Sequence, residues 1–128
     1  MSEASFRILI VDDDTDFCEL LKQVLCAEGY EVHLAYDIPE AMTLLMAIKP
    51  NLILTDMMLP EVDGLTFIRA LRRYDRWAEV PALVVSAQPA ARGRCEAEQA
   101  GADEFLSKPF DLQDLKMRLR MHLPCTSC

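Results

Sequence analysis

Five strand-length runs recur along this chain, each followed by a stretch with helical spacing, and that alternation limits the fold more than any other feature. The runs are Phe6–Val11, Glu31–Tyr36, Asn51–Asp56, Val80–Ser86 and Asp103–Ser107. The third, Asn51-Leu-Ile-Leu-Thr-Asp56, is apolar through its middle and stops on a carboxylate. The loop Met57-Met-Leu-Pro-Glu-Val-Asp-Gly64 then carries Pro60 and a Gly64 turn signal. A bounded run of this kind reads as a strand buried on both faces. Glu31–Tyr36 alternates instead, as a half-buried strand does, with His33 on its polar side. Strands and helices in alternation predict an α/β doubly wound parallel sheet of five strands with five helices on its two faces. Right-handed crossovers leave few topologies.

The helical stretches have recognisable starts and stops. Phe17, Leu20, Leu21, Val24 and Leu25 form one apolar stripe closed by Gly29, with Cys18 at its margin and Cys26 opposite. Asp37 is placed as an N-cap, with Pro39 in the first turn and Glu40 at the capping-box position. Ala41, Leu44, Leu45 and Ile48 are its inward residues, and Pro50 ends it. Leu65, Ile68 and Leu71 mark a third helix with Arg69, Arg72 and Arg73 outside. The segment Pro89–Gly101 is poor in large apolar residues and contains Gly93. Asp111 caps the last helix, which turns Leu112, Leu115, Leu119 and Leu123 inward.

Length and charge narrow the function. The chain has 128 residues, one domain's worth, and 52% of them are apolar, ample for a core. A formal net charge of -8 argues against direct binding of nucleic acid, which needs a basic face. No run reaches membrane-spanning length and no leader pattern opens the chain, so a cytoplasmic location away from the membrane is expected. The five cysteines, at 18, 26, 95, 125 and 128, form no disulfide framework. Cys125 and Cys128 have C-x-x-C spacing, but read as thiols of a disordered tail or the start of a linker over 125–128, after a domain spanning 1–124.

In a parallel sheet the carboxyl ends of the strands share one edge, where ligands bind. Here those ends carry Asp12 and Asp13, Asp56, Ser86 and Lys108. Clustered carboxylates repel and raise one another's pKa. A divalent cation relieves this, and oxygen ligands with open positions suit Mg²⁺. A carboxylate can attack phosphorus, while a lysine and a hydroxyl hold the phosphoryl oxygens. The sequence contains no Gly-rich phosphate loop of the Walker type. His122, late in the last helix, is read as structural or exposed.

From Arg7 to Leu123 the sequence resembles the receiver domain of bacterial two-component response regulators. The resemblance is carried by Ile8-Leu-Ile-Val-Asp-Asp-Asp14, Leu54-Thr-Asp-Met-Met-Leu-Pro60 with Asp63-Gly64, Val84-Val-Ser-Ala87, Gly101-Ala-Asp103 and Leu106-Ser-Lys-Pro-Phe110. It implies a flavodoxin-like sheet of order 2-1-3-4-5. It implies a regulatory phosphoacceptor, not an enzyme acting on an external substrate, that catalyses only its own phosphorylation and slow dephosphorylation. Asp56 would take the phosphoryl group from a sensor histidine kinase or phosphotransfer protein. Mg²⁺ would be bound by Asp12, Asp13, Asp56 and the carbonyl of Met58. Lys108 would pair with the phosphoryl group, with a cis bond to Pro109. Ser86 would move to the phosphoryl oxygen and Phe105 would then turn inward, changing the surface of the fourth helix, fifth strand and fifth helix. That surface would meet a downstream effector or output domain, and a phosphorylation-dependent homodimer fits the resemblance. Met58 and Gln88 would flank the water that removes the phosphoryl group.

Two other functions compete. A metal-dependent phosphatase resembling the haloacid dehalogenase family would want a second acid two residues after the nucleophile, where this chain has Met58. A receiver-like module that is never phosphorylated is opposed by the complete set Asp12, Asp13, Asp56, Ser86 and Lys108.

Overall fold

The computed structural model describes residues 6–59, 62–87 and 90–123. Its elements run β1 (Arg7–Val11), α1 (Thr15–Ala27), β2 (Glu31–Ala35), α2 (Ile38–Ile48), β3 (Leu52–Asp56), α3 (Gly64–Leu71), β4 (Ala82–Ser86), α4 (Ala90–Ala100), β5 (Glu104–Ser107) and α5 (Leu112–His122). All pairings are parallel, in the order β2-β1-β3-β4-β5. The alternation predicted from sequence is therefore present, with the strand order the resemblance implies.

Burial follows position in the sheet. β3 and β4 are interior strands and bury every residue, whereas β2 is an edge strand whose Glu31 is exposed. On one face, Ile8, Ile10, Leu54 and Val85 pack against Leu21 and Leu25 of α1 and Leu115 and Leu119 of α5. On the other, Leu9, Val11 and Ile53 meet Leu45 of α2 and Phe67 of α3. Farther along that face Val84 and Phe105 meet Ile68 of α3 and Ala97 of α4. Each buried Leu, Ile or Phe contributes roughly 1.5–3 kcal/mol.

The expected caps Asp37 and Asp111 are present, and Asp14 and Asp63 act likewise at α1 and α3. The Asp14, Asp37, Asp63 and Asp111 side chains each accept a backbone N–H in the following first turn. Glu40 does reach back, but its carboxylate accepts from the N–H of Tyr36, one residue before the cap. Gly29, at φ +100°, follows the end of α1 and lets Tyr30 N–H bond the Leu25 carbonyl.

Two expectations need correction. Leu20 is 51% exposed, and Cys18 takes the inward place beside Leu21 and Leu25. The stripe was drawn one position too wide. Arg72 does not point out from α3. Its guanidinium donates to the carbonyls of Gly101, Trp77 and Val80 and to Asp103, tying α3 to the turns before β4 and β5. Trp77, in the connection between α3 and β4, is buried in the core beside Leu71. His33 stays on the polar side and bonds Glu31 at 2.7 Å, and His122 bonds Glu104 at 3.1 Å. Pro60, Gln88 and the Cys125–Cys128 tail, with the domain boundary drawn before it, lie outside the described residues.

A carboxylate cluster at the carboxyl edge of the sheet

The carboxyl ends of β1, β3, β4 and β5 converge on one edge, and backbone bonds lock them there. Asp12 N–H bonds the Ala35 carbonyl at 3.0 Å, and Met57 N–H bonds that of Val85 at 2.9 Å. Lys108 N–H bonds the Ser86 carbonyl at 2.7 Å, which seats the lysine beside the end of β4. The bond from Lys108 to Pro109 is cis, as the resemblance implied.

Asp12, Asp13 and Asp56 each bring a carboxylate oxygen to a common point, all within 4.8 Å of one another. Asp12 is fully buried, Asp13 is exposed and Asp56 is 9% exposed. Lys108 Nζ donates to Oδ2 of Asp12 at 2.9 Å and to Oδ2 of Asp56 at 3.4 Å. Each buried carboxylate also spends its second oxygen on the backbone. Asp12 Oδ1 accepts from Asp14 N–H at 2.9 Å, and Asp56 Oδ1 from Met58 N–H at 3.1 Å.

The electrostatics follow from these contacts. Burial raises the pKa of Asp56, and the Asp12 charge adds to the rise, against the opposing Met58 N–H and Lys108. For Lys108, burial alone disfavours the charge. Hydrogen bonds and attraction from Asp12 and Asp56 outweigh it and raise the ammonium pKa. The lysine therefore stays charged beside two carboxylates whose repulsion it only partly offsets.

Every described residue expected at the site except Phe105 and Met58 has its side chain at this edge or next to it. Ser86 closes β4, is fully buried, and pairs in register with Ser107. Met58, two residues after Asp56, is 60% exposed. Phe105 is 2% exposed and already lies inside, in the core between α3 and α4.

Three contributors escaped the sequence reading, and a fourth, Gly64, was expected only as a turn. The Phe17 ring lies 4.4 Å below the Lys108 ammonium, a cation–π contact from the first turn of α1. The Cys18 thiol donates to the Asp12 carbonyl at 3.2 Å; burial first, then Asp12 and Asp14, push its pKa up to about 12, so it is an inert structural thiol. Thr55 Oγ1 donates to the Asp56 carbonyl at 3.0 Å. Gly64 comes so close to Asp56 that a Cβ would collide with its carbonyl, and Gly64 N–H bonds Met57 O at 2.9 Å. The only signals for them were a polar residue inside an apolar run and a glycine after it. Phe17 and Cys18 looked like ordinary members of a helix stripe.

Comparison with known proteins agrees with the geometry. The family model for the response regulator receiver domain matches residues 8–120. The DNA-binding dual master transcriptional regulator RpaA of Synechocystis sp. is 39% identical over 114 residues, 89% of this chain and 47% of RpaA. Response regulator MprA of Mycobacterium tuberculosis is 40% identical over 116 residues, 91% of this chain and 50% of MprA. The chain thus spans about half the length of these curated relatives. Among solved structures, chemotaxis protein CheY4 of Vibrio cholerae superposes with a TM-score of 0.86 at 27% identity, covering 92% of this chain and 98% of CheY4. The non-phosphorylated HemR receiver domain of Leptospira biflexa gives 0.84 at 32%, covering 95% and 97%. With the motifs, the strand order and the carboxylate edge all in agreement, this chain belongs to the response regulator receiver domain family.

Proposed function

We propose that this domain is a phosphoacceptor switch, with Asp56 taking a phosphoryl group from the phosphohistidine of a sensor kinase or phosphotransfer protein. The observation that carries this reading is Lys108 Nζ, held 2.9 Å from Asp12 and 3.4 Å from Asp56 at the sheet edge. One carboxylate is thereby a nucleophile and its neighbour an anchor for the cation that receives the new charge.

In the transfer, an Asp56 carboxylate oxygen forms a bond to phosphorus as the phosphorus–nitrogen bond of the donor imidazole breaks. The released imidazole keeps the electron pair and takes a proton from water. Lys108 and the Ser86 hydroxyl hold the phosphoryl oxygens as charge shifts onto them. The donor set fits a hard cation: three carboxylates, one of them open to solvent, and no sulfur or nitrogen ligand among them. Asp13, Asp12, Asp56 and the Met58 carbonyl would hold Mg²⁺, which when bound neutralises the charge of the incoming phosphoryl group. Ser86 and Phe105 lie on the way from this edge to the α4–β5–α5 surface, the side offered to an effector, an output domain or a second receiver.

Incubation with Mg²⁺ and acetyl phosphate, followed by mass spectrometry, tests the reading. A labile adduct of one phosphoryl group is expected in the parent and absent from Asp56→Asn. An adduct that persists in Asp56→Asn would place the chemistry elsewhere.

A further inference from the structure

Gly93 sits in the middle of α4 with its backbone against the ring of Phe105. A Cβ built on Gly93 would stand 2.6 Å from Cε1 and 3.3 Å from Cε2 of that ring, and closer still to Cζ. Separations below 3.0 Å are not tolerated, so the ring and any side chain at 93 cannot share the space. The other contacts point the same way. Ala97 and Ala100, one and two turns on, are both buried and keep the trough shallow. Ile68, Val84 and Met57 close the far side. The Arg94 guanidinium lies 5.9 Å from the ring centroid. Glycine is, after proline, the poorest residue for a helix interior, so α4 carries it against propensity. The ring fills the space that glycine leaves.

We propose that Gly93 is a receptacle that holds the Phe105 ring inward by packing alone. The regulated surface is then built in its ring-in form by the chain itself, and the phosphoryl group is not needed to place the ring. This deepens the regulation proposed above, and rests on that reading for its consequence though not for the placement. Phe105 lacks the hydroxyl that would draw a tyrosine ring towards solvent, so nothing on the ring opposes the notch. A partner that reads the α4–β5 face through the ring meets the same shape before and after phosphorylation. Any signal must travel through Ser86 and the position of α4.

Nuclear Overhauser contacts of the Phe105 ring test the placement directly. Contacts to Gly93 Hα and to the Ala97 and Ala100 methyls are expected in the untreated protein. They should be unchanged after adding Mg²⁺ and beryllium fluoride, an acyl-phosphate mimic. Contacts absent at first and appearing only with beryllium fluoride would overturn the proposal. Gly93→Ala should lose the ring contacts and lower Tm by at least ~4 °C, although alanine is the better helix former. Retained contacts with a raised Tm would overturn it as well. If Gly93→Ala does not fold, the shorter side chain of Phe105→Leu in the same chain should restore folding; failure to do so, where Phe105→Leu alone folds, would also sink it. The untreated arm needs no phosphoryl transfer. An absent Asp56 adduct therefore counts against the phosphoacceptor reading only, and absent ring contacts against the receptacle only.

Discussion

Lys108 Nζ donates a 2.9 Å hydrogen bond to Oδ2 of Asp12, a carboxylate with no solvent exposure. Without a lysine there, Asp12 and Asp56 would face each other buried and uncompensated. Lys108→Ala should cost about 1–3 kcal/mol, less than the loss for a fully buried pair because 24% of the lysine side chain is exposed. Urea unfolding without Mg²⁺ measures this, and added Mg²⁺ should return part of the loss. Lys108→Arg should not recover phosphoryl-dependent signalling, since a planar fork cannot replace a compact point charge at this spacing. The pH dependence has a definite sign. A lysine pKa raised by folding contributes stability that is fully present below its unfolded value of 10.5. That contribution is lost as pH rises through the folded value. An alkaline titration of parent against Lys108→Ala should show the two stabilities converging.

Asp56 has the same sign of pH dependence in the acid range, but there the charged form bears the cost. Its folded pKa lies above the ordinary 3.8, so the folded state binds the proton more tightly than the unfolded state. Stability contributed by this group therefore falls as pH rises from 3.8 through the folded value. Asp56→Asn removes that cost and should raise Tm at neutral pH by about 3–6 °C, roughly the shift made by 1 kcal/mol in a domain of this size. A lower Tm in Asp56→Asn would mean that its Met58 and Lys108 contacts outweigh desolvation.

Arg72 illustrates a stabilising contact outside the site. One guanidinium satisfies three backbone carbonyls, at 2.9 Å for Gly101, 3.0 Å for Trp77 and 2.9 Å for Val80. It also meets Asp103, whose Oδ2 accepts the Ala82 N–H at 2.9 Å. Arg72→Ala leaves those carbonyls without this donor and should cost about 2–4 kcal/mol. Trp77 fluorescence, followed through urea unfolding, reads the loss; a change under ~0.5 kcal/mol would show that water replaces the arginine.

The strands and caps were legible because each is written locally. An apolar run ending on a carboxylate names both a buried strand and its carboxyl end, and Asp37 and Asp111 announce their helices. What was not legible depended on residues distant in sequence. Arg72 reads as outward because a charged residue on a helix normally is, and its partners at Gly101 and Asp103 lie 29 and 31 residues away. Leu20 and Cys18 were misplaced because a five-residue stripe is wider than the groove α1 fits, and the thiol packs there with its proton on the Asp12 carbonyl. The inward ring of Phe105, on β5, packs against a glycine of α4. Hydrophobic patterning saw only a weak helix at Gly93.

The lifetime of the phosphoryl group should depend on Met58. Its backbone N–H donates to Asp56 at 3.1 Å, which fixes its backbone beside the acceptor, and the residue is 60% exposed. An acyl phosphate decays when a water reaches phosphorus in line with the bond to be broken. A thioether neither orients that water nor takes its proton, so a methionine beside the phosphoryl group would only shield it. An asparagine at 58 offers a donor and an acceptor at the same place. Met58→Asn should therefore shorten the phosphoryl lifetime by roughly 3- to 10-fold. The check is to load parent and variant with acetyl phosphate and Mg²⁺, remove the donor, and follow the adduct by mass spectrometry. Equal decay would show that the methionine stands clear of the water's path, leaving hydrolysis to be governed from the other side of the site.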